Sequence, residues 1–359
     1  MQILDSTLRE GEQQYGVFFP ISLKLQLAVE LIKVVDFFEI SSPLVAPSYQ
    51  QASEELARIV PSDQLVVHCM LDEDYVYSAK ELGAQWVGLF VSIRSDFHLP
   101  RFGRTLTDTY VVIHRLLQLC KKLGMHVRLT CEDASRTPLN ELIKFYRTAI
   151  DAGVARIGFA DTTGCLTPDQ LYTYLISLKS ARIPFSKLHV HFHNDCGYAN
   201  KNFTIAAKFG IGCIDGTITG IGERVGVTQT EYLTSELSRP NRSAIEVARD
   251  LVLKNVISKS ASELRFAHKA GIHIDGVIKC PATYEWTTPE SLGLNRLIVL
   301  SKLSGRSAIQ FYLSKIKKRQ DHDLPDIDAI FQKLKEQDLL EIATEDSFEF
   351  FLKQIMEEE

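Results

Sequence analysis

His189, His191 and His193 alternate through the short stretch HVHFHND, residues 189–195. In an extended strand every second side chain points to the same face, so three imidazoles share one side while Val190 and Phe192 take the other. Three imidazoles on one buried face cost too much in desolvation unless something pairs with them, and a metal ion is one such partner. His191 and His193 lie nearest the strand's end. With a carboxylate from a distant strand they would complete a facial two-histidine, one-carboxylate set with open coordination positions. LDSTLREGEQ (4–13) offers two candidates, Glu10 just past a first strand and Asp5 deeper in it. A satisfied pair of core histidines is the alternative. His189, two residues further in, is expected to be structural, hydrogen-bonded inside the fold.

Four further stretches bear on the chemistry. Arg9, beside Glu10, could neutralise charge that appears only as a carbonyl oxygen becomes anionic; a plain ion pair with Glu10 or Asp5 is the alternative. Arg128, Thr130 and Glu132 share one face of HVRLTCED (126–133) by the same period of two. Arg128 would suit a second carboxylate on a substrate, unless it merely pairs with Glu132. GIGERVG (220–226) matches neither a dinucleotide fingerprint nor a phosphate loop and reads as a tight turn that brings Glu223 near the site. In AHKAGIH (267–273), His273 is either a general acid–base or a surface histidine.

These residues need a frame. Eight strand-like runs, near residues 2–8, 37–43, 64–71, 86–93, 126–133, 156–162, 187–195 and 213–220, alternate with helical patterns such as 22–35, 109–124 and 139–153. Eight β–α units in about 240 residues predict a (β/α)8 TIM barrel, an α/β fold. A doubly wound open sheet would need a Gly-rich phosphate turn early on, and GEQQYG is a poor one. The polar pairs Arg9-Glu10, Glu132-Asp133, Asp161-Thr162 and Glu223-Arg224 all fall where strands end. In a closed parallel barrel those ends meet on one rim. The catalytic barrel is expected over residues 1–240, and residues 241–359 read as a C-terminal helical accessory region with no full regulatory domain.

The chain has 359 residues, 45% hydrophobic, 24% charged, with a net charge of -5. Mild acidity argues against nucleic acid or an anionic membrane as partner. Seven cysteines without a Cys-x-x-Cys pair read as reduced thiols. With a strand-like run from Gln2 and no apolar stretch of membrane-spanning length, a cytoplasmic protein is expected.

Seven motifs in order, LDSTLREGEQ, EDASRT, ADTTG, HFHND, GIGERVG, AHKAGIHIDGVIKCPATYE and LSKLSGR, span residues 4–306. Together they resemble the metal-dependent TIM-barrel acyl-CoA condensing enzymes: homocitrate, isopropylmalate and citramalate synthases. The resemblance implies a divalent ion (Zn, Mn, Mg or Co) on Glu10, His191 and His193, chelated by a 2-oxo acid, with acetyl-CoA as co-substrate. It implies Arg9 stabilising the developing charge and Glu132 and His273 assisting deprotonation, with Tyr284 near the thioester. Gln13, Arg128, Thr130 and Thr162 are the expected substrate contacts beside Arg9. It further implies a homodimer in which a partner chain supplies His273 and Tyr284. Arg128 favours 2-oxoglutarate and hence the homocitrate group, as do Phe18-Phe19 and SSPLVAPSYQQ (41–51). Against that, the homocitrate group has a histidine near the end of strand 3, and His68 in HCMLDED reads as too early to replace it. Val227 stands where isopropylmalate synthases have asparagine. The rivals are synthases using 2-oxoisovalerate or pyruvate, a carbon–carbon lyase on the same barrel, and a barrel that has lost activity. The lyases carry a Cys-containing loop where GIGERVG stands here.

Overall fold

Eight short strands run through the barrel: β1 (Gln2–Asp5), β2 (Phe37–Ser41), β3 (Leu65–Cys69), β4 (Trp86–Ser92), β5 (His126–Glu132), β6 (Arg156–Asp161), β7 (Leu188–Phe192) and β8 (Cys213–Gly216). Each pairs in parallel with the next, and β8 returns to β1 with Gln2 opposite Cys213, so the sheet closes. The structure is a computed structural model describing residues 1–97, 103–316, 325–337 and 341–358. The expected (β/α)8 barrel is what the chain forms, and every expected strand is present.

The helices between strands follow local rules. Thr105 caps the Leu106–Lys122 helix in a reciprocal box with Asp108, and Thr167 does the same with Gln170 before Pro168. In the Leu139–Asp151 helix, Leu142, Phe145, Tyr146 and Ala149 recur at i, i+3, i+4 and i+7 and are the buried ones. Such faces pack on outward-pointing strand residues, and the main core runs from Ile3 to Val252 around the whole ring. The Arg242–Asn255 helix contributes Ala244, Ile245, Ala248 and Val252 to that core. It therefore belongs with the barrel, past the expected boundary at residue 240.

Beyond it lies a second, separate core built from Ile274, Ile298, Leu300, Ile309, Phe348 and neighbours. The connecting segment is fastened to its own barrel. Val256 bridges Val17, Ile257 N–H donates to Gly16 O (2.9 Å), and Arg265 donates to Asp195 O. Lys269 Nζ donates to Val17 O (2.6 Å) and pairs with Glu341, which also accepts from Gly16 N–H. All seven cysteines are free thiols, and among the described residues no helix is long and apolar enough to cross a membrane.

Candidate active site

Glu10, His191 and His193 converge at the C-terminal rim of the barrel. One donor atom from each lies within 4.8 Å of the other two, and all three residues are buried. Glu10 reaches this point because the turn after β1 folds back, with Arg9, Glu10 and Gly11 N–H all bonding Ser6 O. Asp5 does not join them: its carboxylate accepts from Thr7 N–H (3.0 Å) and the Thr230 hydroxyl (2.7 Å). Of the two candidates the geometry selects Glu10. His191 Nδ1 donates to Asp215 (3.0 Å), which leaves its Nε2 turned to His193 Nε2, 3.2 Å away. A carboxylate that fixes the outer nitrogen is how metal-binding histidines are usually oriented. Burial, with Arg224 nearby, holds His193 well below the ordinary imidazole range and so neutral. Neutral imidazoles and a carboxylate are a donor set that fits a divalent cation.

His189, as expected, is structural: its Nε2 donates to the other oxygen of Asp215. Asp195, just past the histidines, takes a two-point ion pair from the buried Arg224, which also donates to Thr162 O. This ties the ends of β6 and β7 to the turn after β8.

Opposite the histidines stands a carboxylate that strand-end reasoning did not select. Glu39, fully buried in β2, accepts from Ser6 Oγ (2.8 Å), Arg9 Nε (2.7 Å) and Arg128 Nη2. Burial alone would push its carboxyl up, but Arg128 and Arg9 hold it well below the usual range. Arg128 therefore pairs with Glu39 rather than with Glu132. Its Nη1 lies at ion-pair distance, 3.6 Å, from Asp215 Oδ1, while Nε and Nη1 make no hydrogen bond. Gly88 in β4 makes room for this pair, since a Cβ there would lie 2.7 Å from Arg128 Nη2.

His68 also reaches the cavity. It stacks on Phe90 (ring centres 4.6 Å apart), and its Nδ1 lies 3.4 Å from Glu39. Desolvation brings its pKa down to about 4, so it enters as a neutral ring. Its position in β3 is thus not too early. Gln13, Thr130 and Thr162 line the same cavity with Arg9, Arg128 and Glu132. Gln13 Oε1 is unpartnered, and Thr162 Oγ1 accepts from Asp133 N–H (2.8 Å).

The second core's Gly271–Lys279 helix covers the mouth. His273 lines the cavity, with Nδ1 3.2 Å from Glu223 Oε2, so it is no surface residue. Tyr284 is buried behind it, hydrogen-bonded through its hydroxyl to Glu132 and packed on the His273 ring (4.3 Å). Gly276 permits that packing, because a Cβ there would meet the Tyr284 ring at 2.5 Å. Within the single chain described, both residues lie at that chain's own barrel mouth.

Glu39 and Asp215 were the residues missed. Their signal was a lone acid inside an apolar strand, FFEIS and CIDG, since an unpaired carboxylate cannot stay there.

Comparison with known proteins agrees with this architecture. The hydroxymethylglutaryl-CoA lyases of Pseudomonas aeruginosa and Bacillus subtilis share the fold, with TM-scores of 0.63 and 0.61 at 18% and 19% identity. They cover 74% and 72% of this chain, and the match takes in 95% of each of theirs. Homocitrate synthase of Pyrococcus abyssi is 33% identical over 348 residues, 93% of this chain and 94% of that one. Homocitrate synthase of Sulfurisphaera tokodaii is 32% identical, over 95% of this chain and 79% of its own. The mitochondrial homocitrate synthase of Schizosaccharomyces pombe is 33% identical, over 86% and 77%. A homocitrate synthase post-HMGL domain-like profile matches residues 261–338. With the HMGL-like profile matching residues 1–261, this chain belongs to the HMGL-like family.

Proposed function

We propose that this chain condenses acetyl-CoA with 2-oxoglutarate, giving homocitrate and free CoA. The observation that carries the choice of 2-oxo acid is Arg128, which lines the cavity with Thr130 and His68 and whose buried Nε and Nη1 make no hydrogen bond, Nη1 lying 3.6 Å from Asp215. A guanidinium with free, desolvated N–H groups suits a carboxylate. The relatives named homocitrate synthase support the same reading.

A divalent ion held by Glu10, His191 and His193 would supply Lewis acidity to the carbonyl of the 2-oxo acid. Arg9, kept cationic by Glu39 and Glu10 despite its burial, stabilises the negative charge that develops on the keto oxygen. Arg128 holds the distal carboxylate and so sets which carbon faces the donor. The acetyl end reaches Glu132 from an adjoining apolar cavity lined by Leu71, Tyr75, Phe90 and Ile272. Glu132, hydrogen-bonded by Tyr284, takes a methyl proton, and the new carbon–carbon bond joins that carbon to the keto carbon. His273, its Nδ1 3.2 Å from Glu223, is the second acid–base group. Hydrolysis of the thioester then releases CoA. Association of two copies is part of the proposal.

The test is free-thiol release from acetyl-CoA by metal-loaded protein with 2-oxoglutarate, 2-oxoisovalerate, pyruvate or oxaloacetate, beside a chelated control. Chelator-sensitive release with 2-oxoglutarate is expected. Release only with 2-oxoisovalerate or pyruvate would keep the condensation and overturn the role of Arg128.

A further inference from the structure

Just past Glu132, the EDASRT turn (132–137) makes contacts that the condensation scheme leaves unused. Arg136 is half-exposed, yet its Nη2 reaches across to the Pro281–Thr283 turn and donates to Ala282 O (2.8 Å) and Thr283 O (3.2 Å). Its Nε donates to Asp133 Oδ1 (2.7 Å), and Arg94 Nη1 donates to the other oxygen of Asp133 (3.0 Å). Asp133 is buried, bonded through its N–H to Thr162, and its backbone lies in the left-handed region (φ 57°). A residue other than glycine stays there only where its surroundings hold it.

We propose that Arg136 is a positioning residue, which grips the turn before Tyr284 and so keeps the Tyr284 hydroxyl on Glu132. The argument is one of two attachments between the same two segments. Tyr284 meets Glu132 through its hydroxyl. Arg136, four residues after Glu132, meets the carbonyls one and two residues before Tyr284. One bond alone would let the ring pivot; two bonds set apart along both segments fix where the hydroxyl lies. The last carbonyls of a helical turn have no partner within it, so they are open to an outside donor. Only a guanidinium can serve Asp133 and the two carbonyls at once, because its nitrogens form a planar fork where lysine has a single nitrogen. The turn that carries the proton acceptor thus also holds the loop that carries its hydrogen-bond partner.

This rests on the condensing function proposed above, and two measurements keep the two ideas apart. The first is hydrogen exchange of the full chain, read by mass spectrometry and independent of turnover, for the wild type, R136Q and D133N. The amides of Cys280, Thr283, Tyr284 and Glu285 are hydrogen-bonded within the loop. Both variants should exchange faster over residues 280–285 while the barrel strands keep their protection; unchanged exchange over 280–285 overturns the proposal. The second is steady-state kinetics of R136Q, Y284F and the double variant. R136Q should lose about tenfold in kcat, with KM for 2-oxoglutarate within about threefold, and R136K should not restore it. If Arg136 acts through Tyr284, adding R136Q to Y284F costs less than about twofold more. Losses that multiply, or an unchanged kcat in R136Q, overturn the proposal. Should R136Q not fold, D133N takes its place in both measurements. Should the wild type release no CoA with any 2-oxo acid, the functional reading fails and hydrogen exchange alone decides the grip.

Discussion

Arg128 carries the specificity proposal, and its surroundings say how to test it. A charge-assisted hydrogen bond contributes about 1.5–3 kcal/mol, so Arg128→Ala should raise KM for 2-oxoglutarate about 10–100-fold. KM for acetyl-CoA should stay within about threefold, because Arg128 does not line the apolar cavity and Glu132 is bonded by Tyr284 instead. Equal losses for both substrates would mean that Arg128 serves only to hold Glu39. The Glu10, His191 and His193 cluster, Arg9 and Arg128 were legible because alternation in a strand and position at its end are sequence properties. Which acid answers each base was not. Arg128 and Glu132 lie four apart in one strand, yet the partner came from 89 residues away across the barrel, where β2 to β5 curl together. His68 was misplaced for the same reason, since depth in a barrel depends on the stagger between strands, which no single strand reveals.

At the scale of elements, β1 presents the case where a strand's end and its neighbour must share a proton-dependent contact. Asp5, fully buried, is pushed up to about 6 from an ordinary 3.8, chiefly by burial, against the lowering bonds from Thr7 and Thr230. A carboxyl raised on folding binds its proton more tightly in the native state. Its contribution is therefore fully present below about pH 4 and is lost as pH rises through about 6. Asp5→Asn keeps an acceptor for Thr7 N–H and puts an amide against the Thr230 hydroxyl, without the ionisation. Relative to wild type, its melting temperature should climb between pH 4 and pH 7.5, by the equivalent of up to about 3 kcal/mol at 1.4 kcal/mol per pKa unit. Parallel melting curves across that range would show that Asp5 ionises freely. The eight strands themselves were plain in the sequence, because strictly alternating or continuous apolar runs bounded by helical periods admit few other readings. The break after the barrel was less so. PNRS (240–243) reads as a boundary, but the helix that follows turns its apolar stripe, Ala244, Ile245, Ala248 and Val252, back onto the barrel core.

For the whole molecule, the question is whose barrel the mouth cover closes. The resemblance to condensing enzymes implies a cover supplied by a second copy; within the single chain described, the connector and cover make contacts with its own barrel. Val256 and Ile257 pair with the Gly16 turn, Arg265 with the Asp195 carbonyl, Lys269 with Val17 and Glu341. Exchange between copies would have to break these and rebuild each of them on another barrel. Two inactive variants separate the possibilities. Arg9→Ala spoils the barrel and leaves the cover, and His273→Ala spoils the cover and leaves the barrel. With closure inside one chain, every molecule in a mixture unfolded and refolded together carries one defect in its only site, and activity stays at the level of the single variants. With exchange, a mixed dimer has one site built from an intact barrel and an intact cover, so up to a quarter of the wild-type activity returns. The expected result is no recovery. Recovery would leave the residues of the site as described and reassign His273 and Tyr284 to the neighbouring copy's reaction.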